Sequence, residues 1–392
     1  MPELNDLSGS FDPNVRFEDF SKDLLLKLMH VWQSAWLIMG ESWYVAVKER
    51  SSTEEANARE LAAWTTVGER VNPRYARVAN IQLNTVVDSL KALQLPLDNI
   101  AGGWYEAVFD IKSPNHVIET VARCRTLEVV EREDPGRVVA LCEVLEKPMM
   151  ERYLINPNIK VTPLKLPPRK SRDDIACQWE FKIEAGESGN DVAASDVSRL
   201  VMPEGSEVPE LTDYSGPYKP DLRFEDFSKD FLLKLVNVWQ HAWLTLEGAW
   251  YDAVNERLGF EAANDCNLKA WLMVGERVNP RLAKAASIQL DTVVDSLKVL
   301  QLPLDNTSGG LFVSEYDIKT PNHVILTVTR CLSLEYFERK APERIVPMCH
   351  VMEGPIIQKY CVNPRVKVTP LKLPPRKSPD EIACQWELKI ED

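Results

Sequence analysis

Hydrophobic positions along the chain recur first at helical and then at strand spacing. Ser21 is a suitable helix N-cap, and Asp23 places a carboxylate in the first turn. The proline-free run 24–50 carries Trp32, Trp36 and Trp43 at i, i+4 and i+11, close to one helical face. That stripe predicts packing in a core or interface, with an aromatic wall for a flat ligand as the sharper alternative. A second helix is predicted over 53–70, ending near Asn72-Pro73, because the residue before proline is pushed out of the helical region. A third runs from about Pro73 to Leu93. Leu95-Pro96-Leu97-Asp98 and Gly102-Gly103 then break the pattern. Strand character follows over 105–111 and 116–124, joined by the turn Lys112-Ser113-Pro114-Asn115. A short helix or turn covers 126–132, and 138–153 holds a helix that starts or kinks at Pro148. Two more strands are expected over 158–166 and 175–183. Helices first and a mostly antiparallel sheet afterwards make the fold class α+β.

The whole pattern occurs twice. Arg16-Phe17-Glu18-Asp19-Phe20-Ser21-Lys22-Asp23 returns as Arg223-Phe224-Glu225-Asp226-Phe227-Ser228-Lys229-Asp230, 207 residues on. Trp32 and Trp239, Asn72 and Asn279, Cys124 and Cys331, and Cys177 and Cys384 keep the same offset. The chain therefore contains two tandem copies of one domain, each with N-terminal helices and a sheet of about four strands. The copies are placed at 16–184 and 223–391. Residues 185–221, with Gly, Ser, Pro and an acidic excess, read as a linker in which the run 197–202 either docks or simply passes by. Duplicated domains commonly reproduce a symmetric contact, so an intramolecular pseudo-dimer of the repeats is expected.

Composition narrows the function classes. The 392 residues are 45% hydrophobic and 27% charged, with a net charge of −13. That balance is globular and argues against a nucleic-acid partner, which would need a basic face. The N-terminus lacks a secretory signal pattern and no apolar run is long enough to span a bilayer, so no membrane role and a cytoplasmic location are expected. Eight cysteines are then expected as reduced thiols.

Six of those cysteines recur: Cys124, Cys142 and Cys177, then Cys331, Cys349 and Cys384. The last of each trio lies in a closing strand, Asp-Ile-Ala-Cys-Gln-Trp-Glu-Phe in the first copy. Alternation puts Cys177, Trp179 and Phe181 on one face, toward the helices; Trp386 repeats Trp179. Three thiolates suit zinc or one face of an iron–sulfur cluster, and one low-pKa thiolate suits a nucleophile. The plain alternative is that each cysteine packs as a small apolar side chain. Arg123 and Arg330 each precede a cysteine and are candidates to lower its pKa or to bind an anion. His350 follows Cys349, where the first copy has Glu143, so a base or ligand is available in the second copy only. The repeated loop Pro167-Pro168-Arg169-Lys170 is either solvated or a clamp for an acidic group.

Nearly all of each copy resembles a family of uncharacterised bacterial and archaeal proteins. These have one cysteine, a second followed by Glu or His, and a terminal Cys-Gln-Trp-Glu-Phe-like strand. The last third is similar to L-2-amino-thiazoline-4-carboxylic acid hydrolase-like proteins, and more loosely to vinyl-reductase-type small-molecule-binding domains. The resemblance marks the six recurring cysteines and implies a cysteine-lined pocket for a small organic molecule, with hydrolase-like chemistry. Gln178 and Gln385 depart from the hydrolase-like pattern, which has an acidic residue there. The second copy, with Cys331, Cys349, His350 and Cys384, is the expected seat of catalysis. Cys124, Cys142, Cys177, Trp179, Trp386, Arg123 and Arg330 are the expected binding residues. The rival readings are a metal or iron–sulfur site on three cysteines per copy, and a non-catalytic scaffold or sensor.

Overall fold

The computed structural model describes residues 3–184, 201–203, 205 and 209–391. The remainder of the expected linker, including 197–200, lies outside the described residues. The first repeat contains α1 (Lys22–Arg50), α2 (Thr53–Val78), α3 (Val86–Leu93), β1 (Tyr105–Ser113), β2 (His116–Cys124), α4 (Arg125–Glu133), a π-helical turn (Ala140–Leu145), α5 (Glu146–Tyr153), β3 (Lys160–Lys165) and β4 (Cys177–Lys182). The second repeats it as α6 (Lys229–Leu258), α7 (Phe260–Ala285), α8 (Val293–Leu300), β5 (Phe312–Thr320), β6 (His323–Cys331), α9 (Leu332–Lys340), a π-helical turn (Pro347–Met352), α10 (Glu353–Tyr360), β7 (Val366–Lys372) and β8 (Cys384–Ile390). Each repeat forms a four-stranded antiparallel sheet, ordered β1-β2-β4-β3 and β5-β6-β8-β7. The α+β class holds.

Local chemistry explains most element boundaries. Ser21 Oγ accepts the Leu24 amide, as an N-cap should, and Ser228 does the same for Phe231. Thr85 and Asp88 close a capping box on α3. The expected break at Pro73 does not occur. α2 runs through it to Val78, and the third helix begins only at Val86. Proline cannot donate to the carbonyl four residues back, but tertiary packing outweighs that loss. Asn72, next to the proline, donates its side-chain amide to Tyr153 O at 2.8 Å, and Asn279 does the same to Tyr360 O at 3.0 Å. These bonds tie the long helix to the end of α5 or α10.

The chain divides into two compact units, and neither is a single repeat. Unit 1 comprises Met1–Arg50 with Val254–Asp392, and unit 2 comprises Ser51–Ala253. Each takes its sheet from one repeat and its long first helix from the other. In unit 1, α1 packs along α7. Its buried Leu25, Leu28, Met29, Trp32, Met39 and Trp43 face inward, each contributing about 1.5–3 kcal/mol of burial. The Trp32 indole donates to Leu302 O at 3.0 Å, and in unit 2 the Trp239 indole donates to Leu95 O at 3.2 Å. The tryptophan stripe is thus core.

A strap ahead of each first helix follows the same rule. Residues Pro209-Glu210-Leu211-Thr212-Asp213-Tyr214-Ser215-Gly216 repeat Pro2-Glu3-Leu4-Asn5-Asp6-Leu7-Ser8-Gly9, although 209–221 falls within the stretch first read as linker. In unit 1, Leu7 N donates to Ala286 O, Lys298 Nζ to Gly9 O and Gln301 Nε2 to Asp12 O. In unit 2, Tyr214 N donates to Ala79 O, Lys91 Nζ to Gly216 O and Gln94 Nε2 to Lys219 O. The buried lysines and glutamines thus find carbonyl partners on the incoming strap.

One close approach is diagnostic. A Cβ on Gly68 would stand 2.2 Å from the Tyr153 ring, and one on Gly275 would stand 2.7 Å from Tyr360. Alanine is otherwise preferred to glycine inside a helix by about 1 kcal/mol. Overpacking costs about 1–3 kcal/mol, so Gly68→Ala should lower stability, reversing the helix-propensity sign. Urea unfolding that found Gly68→Ala more stable than wild type would show that Tyr153 does not pack on this helix.

Candidate functional site

The three recurring cysteines of each repeat come together. Cys124, Cys142 and Cys177 pack against one small cluster of Val121, Leu127, Val130, Val138 and Ala176. Cys331, Cys349 and Cys384 pack against Val328, Leu334, Phe337, Ile345 and Ala383. Each thiol is positioned by a different element. Cys124 ends β2 and caps α4, its Sγ accepting the Leu127 amide at 3.4 Å; Cys331 accepts from Leu334 at 3.3 Å. Cys142 and Cys349 sit in the π-helical turns, a local widening that often marks functional positions. Cys177 and Cys384 open the closing strands, and each Sγ accepts the indole N–H of Trp179 or Trp386 two residues on, at 3.3 and 3.2 Å.

The electrostatics of these thiols oppose a resting thiolate. Burial pushes Cys124, Cys331 and Cys384 up to about 12, and drives Cys142, Cys177 and Cys349 higher still. The negative charge of Glu146 reinforces this in the first repeat, as Glu353 does in the second. For Cys124 and Cys331 the helix-capping amides pull the other way, but burial outweighs them. The cysteines expected as nucleophiles are therefore held as neutral thiols.

The other expected partners are elsewhere. Arg123 is committed to Glu128, at 2.6 and 3.1 Å, and reaches Glu106 at 3.4 Å; Arg330 pairs with Glu335 at 2.8 and 3.3 Å. Both arginines are exposed, on the side of the strand opposite the buried face, so they neither acidify the cysteine nor wait for an anion. His350 is exposed and bonds the Pro374 carbonyl through Nε2. Its hydrogen bond goes to the loop before the closing strand rather than to Cys349. The basic loop does clamp an acid, one belonging to the protein itself. Arg169 forms a fork with Glu131 at 2.9 and 2.8 Å, and Arg376 does so with Glu338 at 2.8 Å for both bonds. These forks hold the loop before the closing strand against α4 or α9. Among the described residues no group of three or more His, Cys, Asp or Glu is placed to hold a metal ion, so the zinc and iron–sulfur readings receive no geometric support. A groove of about 450 Å³ in unit 2 is lined by Gly68, Glu69, Pro73, Arg152, Ile155 and Ile159, among others, and by none of the cysteines.

Carboxyls that did not stand out in the sequence complete the site. Glu146 and Glu353 follow Cys142 and Cys349 by four residues, and burial raises each to about 7. Glu119 on β2 is more unusual. It points to the helix-covered face between Val117 and Val121, opposite Phe109 on β1 and Trp179 on β4. It is 5% exposed, and burial, reinforced by Glu146, raises it to about 8. Its counterpart in the second repeat is Leu326. The signal was a lone carboxylate in a buried strand register where the other copy has leucine.

Two measurements follow. Because few thiolates form at neutral pH, iodoacetamide at pH 7.5 should label the six site cysteines of the folded protein at least about 10²-fold more slowly than a free cysteine; comparable rates would remove the buried-thiol description. Glu119 rises from 4.5 to about 8 on folding, so its contribution is fullest below about pH 4.5 and is lost as pH rises toward 8, by on the order of 5 kcal/mol. Glu119→Leu should therefore gain stability relative to wild type between pH 5.5 and 8.5 in urea titrations. A pH-independent difference between the two would show that Glu119 is not buried.

Comparison with known proteins adds a family without an activity. A family model described as a family of unknown function, DUF6125, matches residues 225–390. No curated protein and no solved structure matches the chain. The matched segment covers the second repeat, which is thus similar to a family of unknown function.

Proposed function

We propose that each repeat binds a small organic molecule at its thiol–carboxyl cluster: Cys124, Cys142, Cys177 and Glu146 in one, Cys331, Cys349, Cys384 and Glu353 in the other. The observation that carries this reading is that, in both repeats, three recurring cysteines pack on one small cluster and all three thiols feel the charge of one glutamate, itself raised by burial to about 7. Glu146 and Glu353 are half-buried, and a desolvated carboxyl costs free energy unless hydrogen bonds offset it, so packing alone would favour aliphatic residues here. A carboxyl near pH 7 suits general acid–base work. If the site turns its ligand over, as the resemblance to hydrolase-like proteins implies, Glu146 and Glu353 would move the proton, and the thiols would act as weak donors that shape the pocket.

The test is a thermal-shift screen of small carboxylic acids, amides, amines and thiol-bearing heterocycles against the full chain. A ligand at about 100 times its dissociation constant stabilises by about 2.7 kcal/mol. At least one class should shift the transition saturably. That shift should be lost in the double variant Cys142→Ser with Cys349→Ser and kept in Glu69→Gln, which alters only the separate groove. Shifts that survive in the double cysteine variant, or vanish in Glu69→Gln, would assign binding elsewhere.

A further inference from the structure

The two units differ at one buried pair. In unit 2 the strap residue Tyr218 is fully buried, and its ring meets Phe109 edge-on at 5.4 Å between centroids. Phe109 lies opposite Glu119 in the β1–β2 register. Tyr218 and Trp179 belong to one buried cluster with Phe109 packed against it, and Glu119 lies opposite both Phe109 and Trp179 in the strand register, near enough to Tyr218 to bear on its hydroxyl. Neither the Tyr218 hydroxyl nor Glu119 Oε2 has a hydrogen-bond partner among the described residues. In unit 1 both polar groups are replaced, Glu119 by Leu326 and Tyr218 by Phe11. Phe11 keeps the ring contact, meeting Tyr316 at 5.0 Å. The fold therefore tolerates an apolar pair here, and unit 2 carries a carboxyl and a phenol with unused hydrogen-bonding capacity.

We propose that Glu119 and Tyr218 form an ammonium-recognition subsite in unit 2, so that its ligand is an amine-bearing small molecule, whereas the unit 1 site takes a neutral one. This rests on the reading of the thiol–carboxyl cluster as a binding site and names the ligand class of one copy. An ammonium carries three donors, which match a carboxylate oxygen and a phenolic oxygen. The walls are aromatic, Phe109, Tyr218 and Trp179, and aromatic faces attract a cation most when water is excluded. The titratable groups facing Glu119 are Glu146 from α5, Cys177 from β4 and Tyr218 from the strap. None of them is cationic. The neighbouring Lys91 of α3 is turned to Gly216 O and the Tyr214 ring instead. A bound ammonium would supply the missing positive charge and drive the Glu119 proton off to solvent.

The experiment is calorimetric titration of the full chain with primary alkylamines from methylamine to butylamine, and with the matching alcohols, in buffers of different ionisation enthalpy. Amines should bind more tightly than alcohols, release close to one proton at pH 7, and gain about tenfold in affinity from pH 6 to pH 7, because the carboxyl near 8 must ionise first. The double variant Glu119→Leu with Tyr218→Phe copies the residues that unit 1 already uses, which guards against misfolding. It should abolish the amine preference and the proton release. The converse variant, Leu326→Glu with Phe11→Tyr, should create a second amine site. Equal binding of amines and alcohols, or amine binding unchanged in Glu119→Leu with Tyr218→Phe, would overturn this inference. Loss of every probe's binding site to the groove variant, with no effect of the cysteine variants, would instead overturn the parent reading.

Discussion

Burial of the first helix governs the rest of the structure. A helix with three tryptophans on one face cannot stay in water, and the partner it finds is the long helix of the other repeat. In unit 1, α1 lies along α7, and its indole N–H groups need acceptors as its rings need cover; Trp32 finds one at Leu302 O. The strap ahead of the helix is carried along with it. Its backbone carbonyls then accept from the buried Lys298 and Gln301, or from Lys91 and Gln94 in unit 2. Through that strap Tyr218 of the second repeat reaches the sheet face of the first.

The duplicated site shows which features are common property and which belong to one copy. Three thiols, the π-helical turn, the glutamate that follows it and the arginine fork over the closing loop appear in both. The pair Glu119 and Tyr218 appears in unit 2 alone. A duplicated domain is free to change one copy while the other keeps the original task, and the apolar pair Leu326 and Phe11 shows that the difference is not forced by folding. The same comparison moves the chemical interest from the second repeat, where Cys349-His350 drew attention, to the first.

Much of the architecture was readable along the chain. The hairpin around Lys112-Ser113-Pro114-Asn115, the four strands and the inward face of Cys177 and Trp179 followed from alternation and turn chemistry. These are local rules, obeyed locally. Pro73 was misread because helix breaking is also a local rule, and the packing of Asn72 and Gly68 against the end of α5 overrides it. The roles of Arg123, Arg330 and His350 were inferred from adjacency to a cysteine in sequence. On a strand, neighbours point to opposite faces, and His350 directs Nε2 to the Pro374 carbonyl. Adjacency in sequence does not by itself bring these side chains to the thiols.

By itself the sequence determined that one α+β domain occurs twice and that three cysteines recur in each copy, because duplication and periodicity are properties of the linear order. Only the tertiary structure decided which helix completes which sheet, since two equivalent helices offer the same apolar face and nothing in their order says which body each will cover. It also decided the state of the site. A thiol or carboxyl takes its proton affinity from the burial and charge around it, and for Cys142, Glu146 and Glu119 those surroundings come from segments far apart in the chain.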